Sequence, residues 1–184
     1  MKTILITGAT SGIGLAAAKK LANDENQLIL CGRRQQKLDE ISKELSAITN
    51  VLSLCFNVSD KNEVNKILEN LPREFSSIDI LINNAGNAHG LDTIQEGSLD
   101  DWDNMIDSNV KGLLYVSRVI MPKMIENQNG HIINIGSLAG REVYEKGNIY
   151  CATKHAVNAI SKAMRIDLNK TGIKVSEINP GLVE

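Results

Sequence analysis

An alternation constrains this chain more than any other feature. Short aliphatic or β-branched runs recur along it: "KTILITG", "QLILCG", "NVLSLCFNV", "DILINNAG", "GHIINIGS" and "IKVSEINPG". Longer amphipathic stretches lie between them, near 13–22, 36–47, 60–70, 99–126 and 149–170. Near-continuous apolar strands separated by segments long enough for crossover helices predict a parallel sheet covered by helices on both faces. Right-handed crossovers then give a doubly wound α/β arrangement, with ligands at the carboxyl ends of the strands. No Pro/Ser-rich linker, repeat or low-complexity segment interrupts the alternation, so 1–184 reads as one domain.

The stretch at 99–126 contains a local conflict. Ser98 is placed to cap it, with Asp101 three residues on and acids in the first turn, where the helix dipole favours them. Gly112 and Pro122 are candidate positions for a kink or a junction between two helices. Asn109 falls in the interior, where asparagine is a poor helix former, and such inconsistencies tend to mark sites.

Composition narrows the functional classes. With 20 basic and 22 acidic residues the formal charge is −2, which gives no electrostatic reason to expect nucleic acid or an anionic membrane as partner. Hydrophobic residues make up 42% and charged ones 23%, typical of a globular chain that buries a core. No apolar run approaches a bilayer span, and no basic–apolar–cleavage pattern of a signal peptide precedes "TILIT". The expected location is the cytoplasm. Cys31, Cys55 and Cys151 are odd in number and far apart, as reduced thiols would be. His89, His131 and His155 show no metal-ligand spacing among themselves or with cysteine, so no metal site is expected.

The first loop carries binding chemistry. "LITGATSGIGLAAAKKL" reads as strand, Gly-rich turn and helix, with Gly8, Gly12 and Gly14 spaced G-x-x-x-G-x-G. A tight turn, close backbone approach and a helix N-terminus suit a dinucleotide pyrophosphate. Thr10 and Ser11 add hydroxyls. Such a turn also serves simply to pack a strand on a helix. The second strand sharpens the choice. An NAD site places an acid about 20 residues on, to accept from the ribose 2′-hydroxyl. Here "LILCGRRQQK" presents Arg33 and Arg34, and no acid before Asp39. Guanidiniums bind a 2′-phosphate that a carboxylate would repel, so NADP is the expected cofactor. Paired arginines at a turn are otherwise solvated charge.

Tyr150 and Lys154, in "IYCATKHAV", lie four residues apart, on one helical face and about 6 Å apart along the axis. An ammonium beside a phenol favours its ionised form, which suits proton transfer near neutral pH. The pair is weak evidence alone, because charge-rich helices produce it by accident. Ser137 ends one predicted strand, Asn83, Asn84 and Gly86 end another, and Asn109 adds a polar group from the long helix.

Together "TGATSGIG", "NNAG", Asn109, Ser137, "YCATK" and "NPGLV" resemble the short-chain dehydrogenase/reductase family in its Thr-Gly-x-x-x-Gly-x-Gly branch, in order, from Lys2 to the last residue. That resemblance implies a Rossmann-like fold and a catalytic set of Ser137, Tyr150 and Lys154, with Asn109 joined through a bound water. It implies a pyrophosphate on Gly8, Thr10, Ser11, Gly12, Ile13 and Gly14, and adenine contacts at Asn57 and Val58. Asn84 and Gly86 would lie along the cofactor, Lys154 would hold the nicotinamide ribose, and Pro180, Gly181 and Val183 would line the nicotinamide. Many relatives carry Asp where Asn57 stands.

The wording "DDWDNMIDSNVKGLLYVSR" and "HIINIGSLAGREVYEKGNIYCATKHAV" is similar to the NADP-dependent 3-hydroxy acid dehydrogenase group, which oxidises serine, allo-threonine and related acids. A substrate carboxylate needs a cation, and Arg141 is a candidate, though equally a surface arginine. The resemblance implies a homotetramer built on the long central helices. Relatives continue past "NPGLV" through a substrate-covering loop, a further helix and a last strand, so the C-terminal part of the domain is expected to be missing from this chain. Other readings are a reductase of another carbonyl and a non-catalytic nucleotide- or partner-binding domain of the same fold. A hydrolase fits poorly, since "GSLAG" is not G-x-S-x-G.

Overall fold

Aliphatic runs such as Leu28, Ile29 and Leu30 form strands because their side chains pack well on a pleated surface buried on both sides. In the computed structural model, which describes residues 1–182, six such strands form one sheet. They are β1 (Lys2–Thr7), β2 (Asn26–Gly32), β3 (Val51–Cys55), β4 (Ile80–Asn83), β5 (Gly130–Ile135) and β6 (Ile173–Ile178). All neighbours are parallel, in the order β3-β2-β1-β4-β5-β6. The strand order reverses between β1 and β4, and this reversal opens a crevice at their carboxyl ends. The doubly wound arrangement expected from the alternation is the one observed.

Successive strand residues face opposite sides, and two cores result. Ile4, Ile6, Leu28 and Leu30 pack with Leu38, Ile41 and Leu45 of α2 (Gln35–Leu45) and with Ala18 of α1 (Gly12–Leu21). Leu5, Ile29 and Leu81 face the other way, onto α3 (Lys61–Leu68), α5 (Leu113–Glu126) and α6 (Asn148–Asp167). Each fully buried Leu or Ile contributes about 1.5–3 kcal/mol, so the sheet anchors the loops at its edge firmly.

Two boundaries differ from the sequence expectation. The run 50–58 reads as one strand in the sequence, but β3 stops at Cys55. Asn57 ends it by forming a turn, its Oδ1 accepting from Ser59 N–H and its carbonyl from Asp60 N–H. Asp60 then caps α3, accepting from the N–H groups of Asn62 and Glu63. The stretch at 99–126 is not one α-helix. Ser98 caps α4 (Leu99–Ile106) as expected, accepting from Asp101 N–H, but Asp107–Gly112 is a π-helical turn before α5 begins. The irregularity surrounds Asn109 and ends at Gly112; Pro122 lies inside α5.

A buried polar seam joins the sheet to these helices. Asn83 and Asn134 are paired in register on β4 and β5, and Asn83 Nδ2 donates to Asn134 Oδ1 and to Ser117 Oγ of α5 at 2.9 Å each. Asn134 Nδ2 donates in turn to Ser161 Oγ of α6 at 2.9 Å. Among the described residues Asn83 Oδ1 alone in this seam finds no partner, and the remaining bonds fix one register between sheet and helices.

Candidate active site

The loops after all six strands converge on a cleft of about 750 Å³. Its lining includes Gly8, Thr10, Ser11, Gly12 and Ile13 from the first loop and Arg33 and Arg34 from the second. Asn57, Val58, Asn84, Gly86, Ser137, Tyr150, Lys154, Pro180 and Gly181 complete the predicted set that reaches it. Gly14 and Asn109 stand behind the wall. Val183, expected along the nicotinamide, lies outside the described residues.

The first loop is shaped to leave backbone groups open. Gly8 has φ +66°, and a Cβ there would meet Ala85 Cα and Asn84 Nδ2 at 2.9 Å. Gly14 admits no Cβ either, being pressed on Asn84 Nδ2 and the Gly8 carbonyl. Gly12, at φ +52°, has nothing within 4 Å of a Cβ, so it faces the cleft's open space. Ser11 sits at the N-cap of α1 without a side-chain cap bond, leaving the first N–H groups of α1 to a ligand. An open floor of N–H groups beside a helix N-terminus fits a pyrophosphate.

The polar side chains around this loop brace it. Asn84 Nδ2 donates to the carbonyls of Thr7 at 2.9 Å and Gly8 at 3.1 Å, and its N–H donates to Thr7 Oγ1 at 3.0 Å. The two arginines, expected together on a phosphate, divide. Arg34 reaches back, its Nη2 donating to Thr10 Oγ1 at 2.8 Å and Ser11 Oγ at 3.0 Å. The Arg33 side chain is exposed, makes no hydrogen bond among the described residues, and borders both the cleft and a neighbouring cavity beside Asn57. Its guanidinium is the one open to a phosphate.

At the other end of the cleft, β5 delivers Ser137 and α6 delivers Tyr150 and Lys154. Ser137 Oγ caps the Leu138–Gly140 turn, accepting from Ala139 N–H at 3.1 Å, and keeps its hydroxyl proton to donate. The Tyr150 hydroxyl has no hydrogen-bond partner among the described residues and is half-buried between the cleft and a second cavity of about 460 Å³. Lys154 is 8% exposed; its Nζ donates to the Ile135 carbonyl at 2.9 Å and lies 5.8 Å from the centre of the Tyr150 ring. Burial pushes its amine down to about 8, against the opposing pull of the Glu177 carboxylate.

Asn109 is buried and its amide is engaged on both sides. Nδ2 donates to Asn87 O at 2.8 Å and Thr153 Oγ1 at 3.0 Å, while Oδ1 accepts from Asn87 N–H at 2.8 Å; the single proton of Ser108 Oγ is shared between Oδ1 at 3.0 Å and the Asn104 carbonyl at 2.8 Å. Thr153 in turn donates to Tyr150 O at 2.8 Å. The π-helical turn thus ties the loop after β4 to the helix carrying Tyr150, as π-bulges at functional sites often do. Asn87 and Thr153 carry no signal of their own in the sequence; only the conflict at Asn109 hints at them. Arg141 stands exposed at the end of the Leu138–Gly140 turn, outside the lining of both cavities, whereas His89 and Lys146 line the one beside Tyr150.

The description "short chain dehydrogenase" belongs to the family model that matches residues 2–184. The chain belongs to the short-chain dehydrogenase family. It is 43% identical over 180 residues to the NADP-dependent 3-hydroxy acid dehydrogenase YdfG of Escherichia coli, covering 98% of this chain and 72% of that protein. The NADP-dependent 3-hydroxy acid dehydrogenase of Schizosaccharomyces pombe is 44% identical over 186 residues, covering 100% of this chain and 72% of its own. Among solved structures, the closed form of a serine dehydrogenase complexed with NADP+ superposes with a TM-score of 0.95 at 42% identity, over 99% of this chain and 73% of that one. Serine dehydrogenase from Escherichia coli gives 0.94 at 42% identity, over 98% and 83%. These short-chain dehydrogenases bear out the resemblance read from the motifs. Among the described residues no cluster of metal-ligating side chains occurs, and no helix is long and apolar enough to cross a membrane.

Proposed function

We propose that this chain, as one Rossmann-like catalytic domain over 1–184, is an NADP(H)-dependent oxidoreductase. It moves a hydride between the nicotinamide and a secondary alcohol or its carbonyl, with a small 3-hydroxy acid such as serine or allo-threonine as substrate. One observation carries this reading: a buried ammonium, Lys154, lies 5.8 Å from the Tyr150 ring in the same cleft as an open glycine loop.

The bound cofactor supplies or accepts the hydride. The chain does the rest. Gly8 to Gly14 hold the pyrophosphate, Arg33 the 2′-phosphate, and Asn57 and Val58 the adenine; Arg34 acts by fixing Thr10 and Ser11. Asn84 and Gly86 would border the cofactor, and Pro180 and Gly181 its nicotinamide. Ser137 donates its free proton to the substrate oxygen and aligns the reacting carbon. Tyr150 passes a proton to that oxygen as it becomes an alcohol, or takes one in reverse. Lys154 holds the ribose hydroxyls and stabilises negative charge developing on the Tyr150 oxygen. Asn109, tied to Asn87 and to Thr153 beside Tyr150, supports the water that links this end of the cleft with solvent.

A screen of NADP+ reduction across serine, the threonine isomers and 3-hydroxypropionate, with NAD+ in parallel, tests this reading. Reduction of NADP+ in preference to NAD+ is expected. NADPH binding without turnover of any hydroxy acid, alcohol or carbonyl would leave a nucleotide-binding domain and overturn it.

The substrate carboxylate is assigned to Arg141, with Lys146 its competitor because Lys146 borders the cavity beside Tyr150. Replacing the true partner with Met raises KM for 3-hydroxy acids by about tenfold or more while sparing neutral alcohols. Equal effects on both substrate classes in Arg141→Met rule Arg141 out. The same reading includes a cytoplasmic homotetramer, with Leu99, Ile106 and Leu114 offering exposed apolar surface on the central helices.

A further inference from the structure

Two polar residues two positions apart, Glu177 on β6 and Asn179 just past its end, point to the same side. Both press on Gly136, where an added Cβ would meet the Glu177 carboxylate at 2.9 Å and collide with the Asn179 amide. Gly136 lies between the two backbone groups that hold the catalytic end of the cleft. On one side the Ile135 carbonyl accepts from Lys154 Nζ; on the other the Ser137 N–H donates to Asn179 Oδ1 at 3.1 Å. Asn179 therefore fixes Ser137 from behind, and Glu177 lies against Gly136, one residue from the carbonyl that holds Lys154.

The Glu177 carboxylate has no cation within 4 Å among the described residues. Its two oxygens accept from Asn158 Nδ2, at 3.0 Å each, and Asn158 lies one helical turn beyond Lys154 on α6. A half-buried carboxylate held by one neutral amide is poorly compensated unless it serves a charge nearby.

We propose that Glu177 is a positioning residue: its carboxylate, clamped by Asn158 against Gly136, keeps the buried Lys154 side chain charged and aimed at the ribose and Tyr150. This rests on the reading of Lys154 given under the proposed function. Of the charged groups around Lys154, Glu177 is the one that counters its desolvation. α6 itself adds Tyr150, and β5 adds only main chain at Ile135. The Leu138–Gly140 turn brings no titratable side chain, and in the π-helical turn Lys111 and Asp107 pair with one another at 2.6 Å.

Glu177→Gln keeps an acceptor for Asn158 and removes only the charge. NADPH affinity, read from its fluorescence between pH 6 and 9.5, is expected to match wild type at pH 6. Above pH 7 it weakens progressively, by up to about tenfold for each pH unit by which the Lys154 titration moves down. A wild-type-to-variant ratio independent of pH overturns the proposal, whatever its value. Glu177→Asp is expected to restore the wild-type profile.

Urea denaturation of the cofactor-free proteins gives a reading that needs no ligand. The stability gained between pH 6 and 9 is expected to be larger in Glu177→Gln than in wild type, because Lys154 discharges earlier; an equal gain overturns the proposal. If wild type itself binds no NADPH, the functional reading falls while denaturation still judges Glu177. Should Glu177→Gln fail to fold, Asn158→Ala frees the carboxylate from its clamp and must shift both profiles in the same direction.

Discussion

The two ends of the cleft are built on opposite principles. At the glycine end the ligand surface is main chain, and side chains such as Asn84, Thr10 and Arg34 turn inward to brace it. At the Tyr150 end the reactive surface is side chain, and main-chain groups of Ile135 and Asn87 do the bracing. The first end therefore depends on the absence of Cβ atoms, the second on where charge is held. Damage to the glycine end should appear as lost cofactor affinity or fold, and damage to the other end as lost turnover or altered pH response.

The sharpest contrast is Tyr150→Phe. It removes one oxygen that has no protein partner among the described residues, so fold and NADPH affinity are expected to stay within about twofold of wild type. Turnover is expected to fall by about a thousandfold, the order lost with a general acid–base group. Steady-state kinetics beside a fluorescence titration reads both. Substantial residual kcat would break the division between a binding end and a chemical end.

Lys154→Met probes the same end without substrate. The folded-state amine, at about 8, sits below its ordinary 10.5. Between those values the unfolded chain binds more protons than the folded one, so Lys154 makes stability rise with pH across that window. Its cost is fully present below pH 8 and gone above 10.5. Cys31 acts oppositely, since burial pushes its thiol up and the unfolded chain alone releases that proton. The difference between wild type and Lys154→Met cancels Cys31, and is expected to narrow by at most about 3 kcal/mol from pH 8 to 10.5. A gap constant in pH, in denaturation of the cofactor-free proteins, would show that burial does not discharge the lysine.

Much of this division was legible in the sequence. Unbroken aliphatic runs announced the parallel strands, because a strand buried on both faces needs no polar alternation. The glycine spacing and Tyr150–Lys154 carried the site, since both depend on contacts within a few residues. What stayed hidden depends on partners far along the chain. The π-helical turn at 107–112 is held by Asn109 on the backbone of Asn87, and local propensity registers only that an asparagine is misplaced. Arg33 and Arg34 look equivalent as neighbours, yet the loop geometry spends one on Thr10 and frees the other. Glu177 reads as one more polar residue on an edge strand until Gly136 is seen to make room for it.

Within the glycine end a smaller contrast separates fold from binding. Gly14→Ala places a methyl against Asn84 Nδ2 and the Gly8 carbonyl, so the brace must shift. Because the clash includes backbone, overpacking takes the upper part of about 1–3 kcal/mol, and the better helix propensity of alanine returns up to about 1, leaving a net loss of about 2 kcal/mol and a lower Tm. Gly12→Ala meets no atom within 4 Å, but it must hold φ +52° and its methyl points into the space a pyrophosphate would fill. The left-handed backbone costs about 1–2 kcal/mol in the folded protein unless the loop relaxes into the open cleft, and an exposed loop can relax. Gly12→Ala is therefore expected to lower Tm less than Gly14→Ala while weakening NADPH more. Thermal denaturation of the cofactor-free proteins and NADPH titration give the two orders. Matching orders would mean that the loop's glycines serve packing alone, and the glycine end would then obey the same principle as the rest of the core.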